Sequence, residues 1–202
     1  MKKFDVVGVG LNATDTLLLV PHFPAYAGKA PFTEEIVSPG GQVASAMVTC
    51  ASLGLKTKYI GTVGDDERGR IQLESLQGSG IDLEHVQIRP GCANQSAYII
   101  IDRATGERTV LWRRDDCLRI TPAEITPEQI TCARLLHIDG HDTAAVEHAA
   151  RLARAAGIPV TSMSIPSITA STAFCPTSIT SSPAPNSPSN GPMRATPSAP
   201  SK

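Results

Sequence analysis

Gly40 and Gly41 stand side by side before a run of small residues in SPGGQVASAMVTCASLG (38–54), and a glycine-acid turn, YIGTVGDDERG (59–69), follows. Glycine has no Cβ, so the main chain can take left-handed angles there and a ligand can approach it closely. The helix expected after the pair turns its unpaired N–H groups toward that turn, which suits a polar ligand. Asn12 and Asp15, in GLNATD (10–15), follow a short apolar run and are candidates for ligand contact. Both types also cap turns, and the spacing leaves that reading open. Asp65 and Asp66 resemble catalytic acids in isolation, but their place before a helix favours capping.

The elements that must position these groups follow from periodicity. Phe4 to Val9 reads as a buried first strand, which places Asn12 and Asp15 near its carboxyl end, where ligands gather in open α/β sheets. Thr14 to Val20 and Phe32 to Val37 read as two short strands around a proline-rich loop. Ala44, Ala46, Met47, Cys50, Ala51 and Leu53 recur at helical spacing, with Gly54 as the residue that ends the helix. Lys58 to Val63 is a strand and Gly69 to Gln77 a helix burying Ile71, Leu73 and Leu76. SAYIII (96–101) and Thr109 to Trp112 form an antiparallel hairpin around DRATGER, either a lid or a plain structural hairpin. A short helix from Thr126, a strand from Leu135 to Ile138, a helix from Thr143 to Ala156 and a strand from Ile158 complete an alternation that signals a parallel sheet covered by helices.

The 202 residues suffice for one sizeable core, and a net charge of -1 gives no bulk attraction to nucleic acid or to an anionic membrane. No stretch has the length of a membrane span, and a cytoplasmic location is expected. Cys50, Cys92, Cys117, Cys132 and Cys175 lie far apart with no CxxC pair, so neither a zinc site nor a disulfide framework is expected, and the thiols are read as reduced.

After Thr161 the composition changes to Ser, Thr, Pro and Ala; residues 162–202 contain no Asp or Glu and 8 of the 16 prolines. Such a segment buries too little apolar surface to offset its ordering entropy, which predicts a disordered tail. The break falls inside a strand, which motivates a sharper hypothesis, a translational frameshift. Suitable codons for Ser162 onward, read one base earlier, encode VDVDTVYHGFDRVLPNVDYLIASSEFP, a strand ending in acids, a helix and another strand.

The order GLNATD, SPGGQVASAMVTCASLG, YIGTVGDDERG and lid hairpin resembles the PfkB (ribokinase-like) family of carbohydrate kinases over about Lys3 to Thr161. The hidden reading frame is similar to that family's next strand-helix-strand segment. The resemblance implies an α/β fold, a ribokinase-like parallel sheet with a small β lid (strands about 14–37 and 94–113), here truncated before the nucleotide-binding half. Residues 1–161 would be the N-terminal part of the kinase domain, and 162–202 the tail. It further implies transfer of the ATP γ-phosphoryl group to a sugar-like hydroxyl with Mg²⁺.

By that resemblance Asp15 accepts hydrogen bonds from the acceptor, Gly40 and Gly41 let the backbone close on it, and Asn12 and Gln42 are weaker contacts. Ser45 stands where the family often has Asn. Ser96 on the lid and Asp139 at the end of LLHID complete the candidate acceptor site. Arg113 and Arg114 either favour an anionic acceptor or face water, and the second reading is preferred. The family's GxGD motif, which carries the catalytic aspartate, is missing from the 202 residues, so no catalytic residue, metal ligand or nucleotide site is assigned. The expectation is a PfkB-type sugar kinase, inactive as this polypeptide alone, or else a non-catalytic acceptor-binding or dimerisation fragment. A homodimer through the lid strands fits the family. A third reading, a dinucleotide-binding protein, is suggested by GVGLN after the first strand, although the full GxGxxG pattern is missing.

Overall fold

A computed structural model describes residues 2–163. The expected disordered tail and the frameshift, from 162 on, lie outside the described residues except for Ser162 and Met163, which continue a strand. The first strand, β1 (Phe4–Val9), is apolar almost throughout because both faces of a parallel sheet are covered. It pairs in parallel with β4 (Thr57–Ile60) on one side and β9 (Ala133–Asp139) on the other, and β9 pairs with β10 (Val160–Met163). The sheet order is therefore β10-β9-β1-β4.

Alternation along β1 divides the core. Val7 and Val9 point to one side, where they meet Leu136, Ile138 and the small face of α4 (Thr143–Ala155), whose Ala145, Ala149 and Ala153 are fully buried. Val6 points to the other side, against Val43, Ala44 and Met47 of α1 (Gln42–Ser52) and Leu76 of α2 (Glu67–Gly78). Fully burying a side chain such as Met47 contributes about 2 kcal/mol. The helix α1 ends as its sequence indicates, with Gly54 at φ 83° and the Leu55 amide donating to the Cys50 carbonyl, 3.1 Å. Leu53, the last of the helically spaced residues, stands just beyond α1 and is exposed.

A second sheet forms the lid, in the order β3-β2-β7-β8, from β2 (Ala13–Val20), β3 (Glu34–Gly40), β7 (Ser96–Asp102) and β8 (Arg108–Arg113). Its first pair runs further than the sequence indicates, because β3 continues through Pro39 to Gly40. An edge strand tolerates a proline, having no neighbour on its outer side. The strand expected over Lys58 to Val63 breaks at Gly61 into β4 and β5 (Thr62–Gly64), and β5 pairs with a short strand that periodicity missed, β6 (Gln87–Arg89). A short helix, α3 (Pro127–Thr131), opens with a capping box formed by Thr126 and Gln129.

Two sequence expectations fail at the base of the lid. Cys92, four residues before β7, and Cys117, four after β8, form a disulfide with Cα atoms 6.2 Å apart. Their separation of 25 residues matches no motif, and only the return of the hairpin brings them together. Arg114 does not face water: it forms a two-pronged ion pair with Asp142, at 2.6 and 3.0 Å, and both side chains are largely buried. Arg113 is exposed and pairs with Asp115.

Candidate functional site

The turn after β1 is fastened from three directions. Asn12 Nδ2 donates to the Thr62 carbonyl (2.6 Å) and to Tyr59 Oη (3.1 Å), while the Tyr59 hydroxyl donates to the Gly10 carbonyl (2.7 Å). Burial pushes the Tyr59 phenol well above its ordinary value, so the hydroxyl keeps its proton and remains a donor. The third fastening is Asp139, whose carboxylate accepts from the Leu11 amide (2.6 Å) and the His141 amide (2.9 Å) and is 2% exposed. Burial raises the Asp139 carboxyl above the ordinary value, and the two amides oppose that shift. Both oxygens are thus already engaged with main-chain amides, one in the turn that carries Asn12 and one in the loop after β9.

Asp15 lies in the middle of the lid sheet, on β2. Register places it in one cross-strand row: Ser38 on β3, Asp15, Ala97 on β7 and Trp112 on β8. Directly paired residues point to the same face of a sheet. Thr14 and Thr16 therefore take the opposite face, where α2 covers them: Arg68 donates to the Thr14 carbonyl (2.9 Å) and to Thr16 Oγ1 (3.1 Å). Ser96 pairs with Thr14 and shares that face, so the structure does not bring Ser96 to Asp15. Burial raises the Asp15 carboxyl above its ordinary value, and the positive charge of Arg68 partly offsets the shift.

The glycine pair does what its lack of side chains permits. A Cβ on Gly40 would lie 2.8 Å from Asp15 Oδ2, so the carboxylate occupies the space a side chain would take. Gly41 has φ 96°, and a Cβ there would lie 2.3 Å from the Asn12 Cα. The pair thus presses the entry of α1 onto the Asn12 turn while leaving Asp15 open. Gln42 begins α1 and is half-buried, whereas Ser45, one turn later, is exposed. Asn12, Asp15, Gly40, Gly41 and Gln42 are brought together in this way.

Sequence reasoning passed over several residues that shape the site. Gln72 of α2 is buried and its Oε1 accepts from the Gly40 amide at 3.3 Å; a glutamine inside an apolar stripe was the available signal. A small cavity of about 10 Å³ is lined by Asn12, Gln95 and Arg114 among others. Asn12 Oδ1, Gln95 Oε1 and Arg114 Nε are buried and have no protein partner. A space of that size fits one water or one inserted hydroxyl. Asp66 caps α2 by accepting from the Gly69 amide (2.9 Å), and Asp65 accepts from the Gly91 amide (2.8 Å), so both acids hold turns.

Among the described residues no three His, Cys, Asp or Glu side chains converge as metal ligands, and no helix is long and apolar enough to cross a membrane. The arrangement offers hydrogen-bond acceptors on a lid above the carboxyl ends of a parallel sheet, which suits a hydroxylated small molecule.

Comparison with known proteins agrees with this geometry. The chain is 32% identical over 157 residues to an ATP-dependent ribose-1-phosphate kinase of Halopiger xanaduensis, an alignment covering 77% of this chain and 52% of the relative. A 5-dehydro-2-deoxygluconokinase of Bacillus velezensis is 30% identical over 142 residues, 69% of this chain and 42% of the relative. The crystal structure of a candidate ribokinase from Agrobacterium tumefaciens superposes with a TM-score of 0.71 at 31% identity, covering 77% of this chain and 51% of that one. The chain thus spans about half the length of the curated relatives it matches. The sequence profile of the pfkB family carbohydrate kinases matches residues 12–175, running past the compositional break at Thr161. With the ribokinase-like sheet, the lid and the glycine pair in place, the chain belongs to the pfkB family of carbohydrate kinases.

Proposed function

We propose that residues 2–163 are the acceptor-binding half of a kinase that transfers the γ-phosphoryl group of ATP to a sugar hydroxyl, and that this polypeptide alone binds acceptor without phosphorylating it. The observation that carries the reading is the placement of the Asp15 carboxylate against Gly40, in a row across the lid sheet and beside the Asn12 turn. An ionised carboxylate accepts hydrogen bonds from two adjacent hydroxyls of a sugar, and Asn12 Oδ1 and Gln95 Oε1 are further acceptors without partners.

ATP and Mg²⁺ belong to the reading through the family. The GxGD motif, which carries the family's catalytic aspartate, is absent from the 202 residues. Bound to a complete kinase, the pair would supply the phosphoryl group and neutralise its charge. Transfer rests on positioning and charge stabilisation, which these residues leave to another segment. The chain's own part is to hold the acceptor hydroxyls in place.

Exposed Ile36, Val37, Tyr98, Val110, Leu111 and Trp112 on the lid support a homodimer through these strands. The cytosol is the proposed location. The test is a panel of ribose, fructose, sugar acids and nucleosides with the purified 202-residue chain, read both by calorimetry and by ATP turnover. Saturable binding without turnover is expected. Turnover by this chain refutes the inactive assignment, and no binding to any acceptor refutes the acceptor-half assignment.

A further inference from the structure

The glycine-acid turn before α2 holds one side chain in place. Asp66 accepts from the Gly69 amide (2.9 Å) and Asp65 from the Gly91 amide (2.8 Å), while Gly69 packs so closely that a Cβ on it would collide with the Gly64 carbonyl. The first turn of α2 is therefore pinned to the end of β5, and Arg68 stands inside that pinned stretch, between the capping Asp66 and Gly69.

From there Arg68 reaches across to the lid sheet. Its Nη1 donates to the Thr14 carbonyl (2.9 Å), and its Nη2 donates to Thr16 Oγ1 (3.1 Å) on β2 and to Tyr98 Oη (3.4 Å) on β7. The guanidinium carbon also lies 5.5 Å from the centre of the Tyr98 ring. The contact is returned, because Thr14 Oγ1 donates to the Arg68 carbonyl (2.8 Å). Thr14 and Thr16 are fully buried, so these bonds are shielded from water. A planar guanidinium that serves two strands at once acts as a strut between helix and sheet.

The lid groups that Arg68 meets are all uncharged, and its positive charge is felt by Asp15, the residue between Thr14 and Thr16. Burial raises the Asp15 carboxyl, and the Arg68 charge opposes the rise. Ser38 on β3 and Ala97 on β7, which flank Asp15 in its row, carry no charge, nor does Gly40 against its carboxylate.

We propose that Arg68 is a positioning residue for acceptor binding: its fork fastens β2 and β7 to α2, and its charge acts on the Asp15 carboxylate that β2 carries. The proposal rests on the acceptor-half reading above. Two separable effects follow. The hydrogen bonds hold the strand before acceptor arrives, and the charge keeps the carboxylate ready to accept hydrogen bonds at lower pH. Lysine would retain the charge and lose the planar fork, whereas methionine would retain only the stem.

The test is calorimetric titration of the full chain and its variants with ribose and with fructose, repeated across the acid range. Arg68→Met should bind about 10-fold more weakly at neutral pH, the equivalent of about one hydrogen bond to a charged group. The pH at which its binding is half lost should also rise above the wild-type value, because no positive charge then opposes the burial of Asp15. Arg68→Lys should weaken binding while keeping that midpoint near wild type. An arginine that only packs would lower affinity equally at every pH, so an unmoved midpoint in Arg68→Met overturns the proposal, as does undiminished binding. If Arg68→Met does not melt cooperatively, Arg68→Lys and Thr16→Val carry the test, the second removing only the hydroxyl that Nη2 meets; undiminished binding in both overturns the proposal. Asp15→Asn separates the two levels of the argument. Undiminished binding in Asp15→Asn overturns the acceptor reading and the proposal with it, whereas loss of binding there beside wild-type behaviour of Arg68→Met overturns the role of Arg68 alone.

Discussion

Replacing Gly41 with alanine should destabilise the fold through two terms that a second variant can separate. At φ 96° and ψ 143° the Gly41 backbone lies where an L side chain is strained, and its Cβ would also meet the Asn12 Cα at 2.3 Å and the Ala13 amide nitrogen at 2.7 Å. The backbone term is about 1–3 kcal/mol. Overpacking adds about 1–3 kcal/mol, at the upper end here because the obstacle is main chain. The sum of about 2–6 kcal/mol is a large part of a typical domain's stability of about 5–15 kcal/mol. Gly54→Ala is the control: φ there is 83°, but nothing lies within 4 Å of a Cβ, so only the backbone term applies. Urea unfolding of the three proteins provides the comparison, and each kcal/mol lowers the melting temperature by about 2–4 °C at this size. Gly41→Ala as stable as wild type, or no worse than Gly54→Ala, would refute the close approach of the glycine pair to the Asn12 turn.

Three further outcomes follow from the same structure. Acceptor affinity should fall on acidification with a midpoint above the ordinary aspartate value of 3.8, because burial raises the Asp15 carboxyl and binding needs the carboxylate; calorimetry across pH should lose this limb in Asp15→Asn. For stability the sign is reversed: the raised group binds its proton more tightly when folded, so its neutral-pH penalty is relieved as pH falls through that midpoint. Arg114→Ala leaves the Asp142 carboxylate buried and unpaired, which costs about 3–5 kcal/mol; urea unfolding should show the Arg114→Ala, Asp142→Ala double variant losing less than the sum of the two singles. Non-reducing peptide mapping should recover Cys92 joined to Cys117, and reduction should remove about 3.5 kcal/mol of stability, the entropy of closing a loop of that length; wild-type unfolding that is indifferent to reductant would contradict the pairing.

Local patterns carried most of the fold. The unbroken apolar run of β1, the small stripe of α1 closed by Gly54, and the proline-led capping box of α3 each rest on near neighbours, and each could be read from the chain. Long-range pairing escaped. Ser96 sits in a good β-former and beside Thr14, yet the face it takes depends on the register between β2 and β7, which one residue of slip would invert. The same is true of the Ser38, Asp15, Ala97 and Trp112 row. Arg114 sits in a surface-like RRDD segment (113–116), and only the fold supplies Asp142, 28 residues later, as its buried partner. Gln72 was hidden by averaging over an apolar helix face, although its contact with the Gly40 amide helps to set the glycine pair.

Amide-resolved NMR of the 202-residue chain during titration with a cyclic sugar reads acceptor binding at the glycine pair residue by residue. Saturable shifts clustered on Asn12, Asp15, Gly40, Gly41 and Ala97 are expected. Saturable shifts confined to other surfaces, or no shifts with any acceptor in a folded protein, would contradict it.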